Sequence, residues 1–131
     1  MAIKSLSALF IVFALLFQPG CATVSDAESV RGTGEARVYP RSKELVWDVL
    51  MDVLGTTSLK IVAEDKDKGV IRAKRGVTGF SYGERVTIFV DTISDGAETK
   101  VELVNKRVVE SNTDAADWAT IIFNRLDRVL S

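Results

Sequence analysis

A chain of 131 residues sets 17 Lys and Arg against 18 Asp and Glu, a formal charge of -1, and so lacks both the global basic field that attracts nucleic acid and an acidic tail. It contains no histidine and one cysteine, which removes the Ser-His-Asp triad, a histidine general base and the usual zinc sites. Catalysis and metal binding are therefore not expected, and no cofactor is implied.

The first patterned stretch combines Lys4, an uncharged hydrophobic run over 6–17, the dipeptide Pro19-Gly20 and then Cys21. A basic start, about a dozen apolar residues and a small residue before the cut make an export signal, and the run is shorter than the ~20 residues needed to span a bilayer. Gly-Cys-Ala-Thr at 20–23 resembles the start of a bacterial lipoprotein, in which the signal is cut before the cysteine and the thiol is lipidated. Gln18 and Pro19 depart from the apolar or small residues usual there, and Gly20-Cys21-Ala22 also satisfies the small-x-small rule. Ordinary cleavage after Ala22, with free release, is thus the alternative. Cysteine usage favours lipidation, because an unpaired thiol on an exported protein is a liability and acylation consumes it. Loss of 1–20 removes Lys4 and takes the formal charge from -1 to -2.

Residues 1–20 are accordingly read as signal peptide, 21–34 as lipidated Cys21 with a flexible tether, and 35–131 as one domain of ordinary size. The stretch 23–34 is rich in Ser, Thr, Gly and charge; as a coil it would reach on the order of 20 Å.

Ala36, Val38 and Tyr39 predict a short strand ended by Pro40. Ser42 then caps a helix in which Leu45, Val46, Val49, Leu50, Val53 and Leu54 recur at helical spacing, with Trp47 and Met51 flanking the stripe and Gly55 as its stop. Leu59, Ile61 and Ala63 mark the inner side of a second strand. A charged turn over 66–69 leads to a third strand that turns Ile71 and Ala73 the same way. Val86, Ile88 and Val90 alternate with Arg85, Thr87, Phe89 and Asp91 in a fourth strand, and after a turn over 94–97 Val101 and Leu103 continue the inner face. The last helix is predicted to start near 112–114. It carries Trp118, Ile121, Ile122, Phe123, Leu126, Val129 and Leu130, with Asp114 and Asp117 at its positive end. The order β-α-β-β-β-β-α, with one apolar face per helix, predicts an α+β two-layer sandwich: an antiparallel sheet with two helices on one face.

Three groups of residues are candidates for function. Glu64, Asp65 and Asp67 are the densest carboxylates, but they flank a hairpin turn with Lys66 and Lys68, where a solvated loop needs such residues, and they lack the remaining ligands of a calcium loop. The glycine-punctuated loop 75–85 carries Phe80 and Tyr82, which either fold back on the sheet edge or form a lip offered to a partner; no Gly-Lys-Ser/Thr makes it a phosphate loop. Arg72, Lys74, Arg75, Lys106 and Arg107 gather into a basic patch if their strands are neighbours. Such a patch is either a solvated face or a contact for anionic lipid headgroups or peptidoglycan.

Strand alternation also turns Val62, Val70, Phe89 and Val104 to the sheet's outer face, where a two-layer fold leaves them exposed. Around Phe89, beside Arg72 and Lys74, they would form an apolar interface centre with a polar rim.

Gly-Val-Ile-Arg-Ala at 69–73, Gly-Glu-Arg-Val-Thr-Ile at 83–88, Thr-Lys-Val-Glu-Leu-Val at 99–104 and Ala-Asp-Trp at 116–118 resemble a family of small uncharacterised bacterial lipoproteins. More distantly the chain is similar to the helix-grip domains of the accessory lipoprotein C of the outer-membrane barrel-assembly machine. The resemblance implies a lipoprotein of the bacterial envelope and supplies no reaction; the expected place is the outer membrane, facing the periplasm. Two functions are compatible with it: a structural or protein-interaction role with an envelope partner, or carriage of a small apolar ligand between sheet and helices.

Overall fold

The computed structural model describes residues 27–77, 83–107 and 116–131. Its elements are β1 (Glu35–Tyr39), α1 (Lys43–Gly55), β2 (Lys60–Asp65), β3 (Val70–Arg75), β4 (Glu84–Ile93), β5 (Glu98–Arg107) and α2 (Trp118–Leu130), an α+β fold in the predicted order. All strand pairs are antiparallel, and the sheet runs β1-β5-β4-β3-β2. Because β1 and β2 lie at opposite edges, the connection through α1 crosses the whole sheet and lays the helix over its inner face.

Local chemistry accounts for the boundaries. The Ser42 hydroxyl accepts from the Leu45 N–H at 3.3 Å and starts α1. Gly55 is the helix's last residue rather than its stop: the Thr56 and Thr57 hydroxyls donate to the carbonyls of Val53 and Leu54 at 2.6 and 2.7 Å, satisfying end groups that α1 leaves open. In the turn after β2 the Asp65 carboxylate accepts from the Lys68 N–H at 3.0 Å. Gly69 closes that turn at φ +66°, where a Cβ would stand 2.1 Å from the Val90 carbonyl oxygen.

The main core lies between the helices and the inner face. Val46, Leu50 and Leu54 of α1 and Ile122, Phe123 and Leu126 of α2 meet Ile71, Ile88, Val90, Val101 and Leu103. Trp47 and Trp118 are buried in it, as the helical spacing predicts. Arg37 of β1 pairs with Asp127 of α2 and stacks over Phe123 at 4.7 Å, while the Tyr39 hydroxyl donates to Asp127 at 2.8 Å. Burial first, and Asp127 second, raise the Tyr39 phenol above its ordinary pKa, so it remains a neutral donor.

Four expectations need correction. The last helix begins at Trp118, not near 112–114: Ala116 and Asp117 are non-helical, and the Asp117 carboxylate caps the helix by accepting from the Thr120 N–H at 3.1 Å. A bulge between Ile61 and Ala63 breaks the alternation of β2, pairs Ala63 with Arg72 on the outer face, and leaves Ile61 exposed at this edge. The stretch 27–34 is not a loose tether. It folds across the outer face as a short helical strap, so part of the sheet is covered on both sides. Consequently Phe89 and Val104 are buried, not exposed: Phe89 has 0% of its surface accessible. The predicted register of β4 is right, with Ile88 inward and Phe89 outward, and a third partial layer covers what two layers would have left bare.

Candidate functional site

The outer face of the sheet divides into a strapped half and an open half. On the strapped half Ala27 and Val30 pack on Val70, Phe89 and Val104, a small second core. Arg31 lies over the Phe89 ring at 4.3 Å and binds Glu28 through two hydrogen bonds of 2.8 and 2.9 Å; it also pairs with Asp91 of β4. The hydrogen bond from Arg31 lowers the Glu28 pKa, and the same bond raises that of Arg31. The carboxylate of Glu102, opposite Phe89 in the sheet, accepts from the backbone N–H groups of Gly32 and Gly34 at 2.6 and 3.0 Å. Two donors satisfy a carboxylate that is almost wholly buried. Gly34 is required by contact: a Cβ there would stand 2.2 Å from the Leu103 carbonyl oxygen.

The open half carries a row of cations. Lys60 of β2 is paired with Lys74 of β3, Lys74 with Arg85 of β4, and Arg85 with Lys106 of β5. All four side chains are exposed, and none forms an ion pair among the described residues. Arg72 follows in the next row on the same face. Between this row and the strap lies a depression of about 140 Å³ reached by Ser29, Val30 and Thr87, and towards β2 a wider one of about 310 Å³ includes Val62.

Of the predicted partner-binding residues, Arg72 and Lys74 therefore come together, with Val62 beside them, exposed to 51%. Phe89 and Val104 belong to the strap's footing instead. Arg75 leaves the basic patch altogether. Its guanidinium donates to Glu84 at 3.0 Å and stacks near Trp118 at 5.8 Å. Cys21, Phe80 and Tyr82 lie outside the described residues, as does the side chain of Arg107.

Sequence reading missed Lys60 and Arg85 as members of the row, although alternation already turned Arg85 outward; what was lacking was the register that sets it between Lys74 and Lys106. Glu84 and Glu102 were missed as well. Continuing the alternation of Val86, Ile88 and Val90 backwards places Glu84 on the inner face, where it is fully buried. Its carboxylate accepts from Arg75, from the Ala116 N–H at 3.2 Å and from the Trp118 indole N–H at 2.8 Å, clasping β3, β4 and the start of α2.

Among the described residues no three acidic or cysteine side chains are placed to hold a metal ion, and no helix is long and apolar enough to cross a membrane. No protein-family model matches the chain, and no curated protein matches it.

Proposed function

We propose that the protein is a non-enzymatic lipoprotein of the bacterial envelope, anchored through Cys21 in the outer membrane and facing the periplasm, where it holds a structural or protein-interaction role. The observation that carries this reading is Cys21 behind an export-signal pattern, six residues before Ala27, which is buried on the outer face. The likeness to small envelope lipoproteins and, more distantly, to helix-grip domains supports the same placement. A non-enzymatic role is supported by the chemistry present: there is no histidine, and the two buried glutamates are committed to backbone, indole and guanidinium donors.

The ligand-carrier alternative requires an empty apolar cavity between sheet and helices. That interface is occupied by Trp47, Trp118, Leu50, Phe123 and their neighbours, and the depressions described above open on the surface. The interaction role is therefore the better supported. Fractionation of cells that express the protein tests the anchor. The wild-type chain should stay with membranes through a high-salt wash, because several acyl chains act together, and Cys21→Ser should be released or accumulate as precursor. Wild-type protein recovered in the soluble periplasmic fraction would reject the anchor and favour cleavage after Ala22.

A further inference from the structure

We infer that the open half of the outer face is a docking surface for the anionic headgroups of the bilayer that carries the anchor, so that the domain lies with its sheet towards the membrane and its helices away from it. The inference rests on the anchored reading for its geometry, and on the sheet register for its chemistry.

The register is what makes the row unusual. Like charges directly opposite one another on neighbouring strands repel, and strands are spaced by about 4.8 Å, so four cations in one row stand along roughly 14 Å of the sheet. Folding alone gains nothing from that arrangement. The chain as a whole is close to neutral, yet the two depressions of the open half are lined by Arg72, Lys74, Arg85 and Lys106 and, among the described residues, by no acidic side chain. On the helical layer the exposed positions of α1 carry Glu44, Asp48 and Asp52. Lys66 neutralises part of that acidic stripe, with its ammonium 2.7 Å from Glu44, and Glu44 raises the Lys66 pKa. The acids of α1 thus stand on a helical layer that also carries Arg125 and Arg128 of α2, whereas the open half of the outer face is lined by cations alone among its described charged residues.

The strap decides which of these meets the bilayer. The described chain begins at Ala27, buried on the outer face, and six residues at full extension bridge only about 20 Å from there to Cys21. A domain tied so closely by its outer face brings that face to the headgroups, where cations gain from the negative surface potential within a Debye length of about 8 Å. Phosphate-bearing headgroups also match the chemistry of the row, since lysine and arginine donate to phosphate oxygens with charge assistance. The acidic stripe of α1 and the groove between α1 and α2, of about 290 Å³, then point into the periplasm.

The test separates the row from the anchor. The mature chain from residue 21, carrying Cys21→Ser and so no lipid, is sedimented with vesicles of phosphatidylcholine alone or with about one third phosphatidylglycerol. This chain keeps all the described residues, and circular dichroism verifies its fold. Binding is expected to the anionic vesicles only, and to weaken about tenfold or more in the double variant Lys74→Glu/Arg85→Glu. The variant Arg41→Glu/Arg128→Glu makes the same change in net charge away from the row and should bind as the parent does. Equal weakening by both variants would make net charge sufficient and overturn the inference, as would absence of any preference for anionic vesicles. Retention of the chain on a soluble polyanion with no vesicle binding would reassign the row to another partner and also overturn it. Failure of the anchored reading shows separately, as an unmodified Cys21 in protein taken from cells.

Discussion

Phe89 is closed in by the sheet around it and by the strap above it. Neighbouring strands flank it within the sheet, while Ala27, Val30 and the Arg31 guanidinium close over its ring. Removing that ring leaves a cavity which the strap cannot fill, so Phe89→Ala is expected to cost about 3 to 5 kcal/mol in chemical denaturation. Phe89→Asp would put a charge into the same apolar pocket and remove the ring that Ala27 and Val30 pack on, so the loss should be at least as large. An unchanged midpoint for either variant would contradict the buried position. Asp117 offers a milder test of local chemistry. Hydrogen bonds from the Thr120 hydroxyl and then its N–H hold the carboxyl below its ordinary pKa. A depressed folded value means that the contribution is present above the unfolded pKa of about 3.9 and is lost as pH falls from there through the folded value. Asp117→Asn keeps a capping oxygen, so stability at pH 7 should change little while that acid dependence vanishes; Asp117→Ala should cost about 1 kcal/mol at neutral pH.

Among the elements, the strap is held largely by one buried carboxylate. Glu102 holds it through two backbone N–H groups, and Arg31 and the apolar side chains of Ala27 and Val30 are among its other ties. Glu102→Ala should therefore leave the inner core standing and free the strap. Amide exchange at Gly32 and Gly34 would speed up by an order of magnitude or more, and trypsin would cut after Arg31; retained protection would show that the latch is not what holds the segment. The sequence hides this element for a physical reason. Residues 27–34 contain few apolar side chains, and the strap's grip comes from backbone donors meeting a glutamate sixty-eight and seventy positions away, which no local pattern records. The helices and strands were legible because periodicity is a local property: Ile71, Val86, Ile88 and Leu103 fall inward as their alternation says. The bulge in β2 was not legible, since one extra residue changes nothing in the composition around it. Val70, Val104 and Phe89 were placed on the correct face, and their exposure was misjudged because the covering layer was taken for a tether; Val62, beyond the strap, is exposed as expected.

At the scale of the molecule, the basic row was half visible. Arg72, Lys74 and Lys106 are conspicuous in the sequence, but Arg85 and Lys60 join the row only through strand register, and Arg75 leaves it because Glu84 holds its guanidinium at the end of the sheet. That clasp joins three elements, so Glu84→Leu should destabilise the fold by about 2 kcal/mol or more, leaving the guanidinium and indole donors unpaired. A thermal midpoint within a few degrees of wild type would show that the clasp contributes little. The strap and the cation row share the outer face, and that placement acquires a function only if a lipid stands six residues before Ala27. The intact mass of the mature protein purified from the envelope tests this most directly. The account predicts a chain beginning at Cys21 that is heavier than its sequence by a diacylglyceryl group, with or without a third acyl chain. An unmodified chain beginning at Thr23 would contradict it.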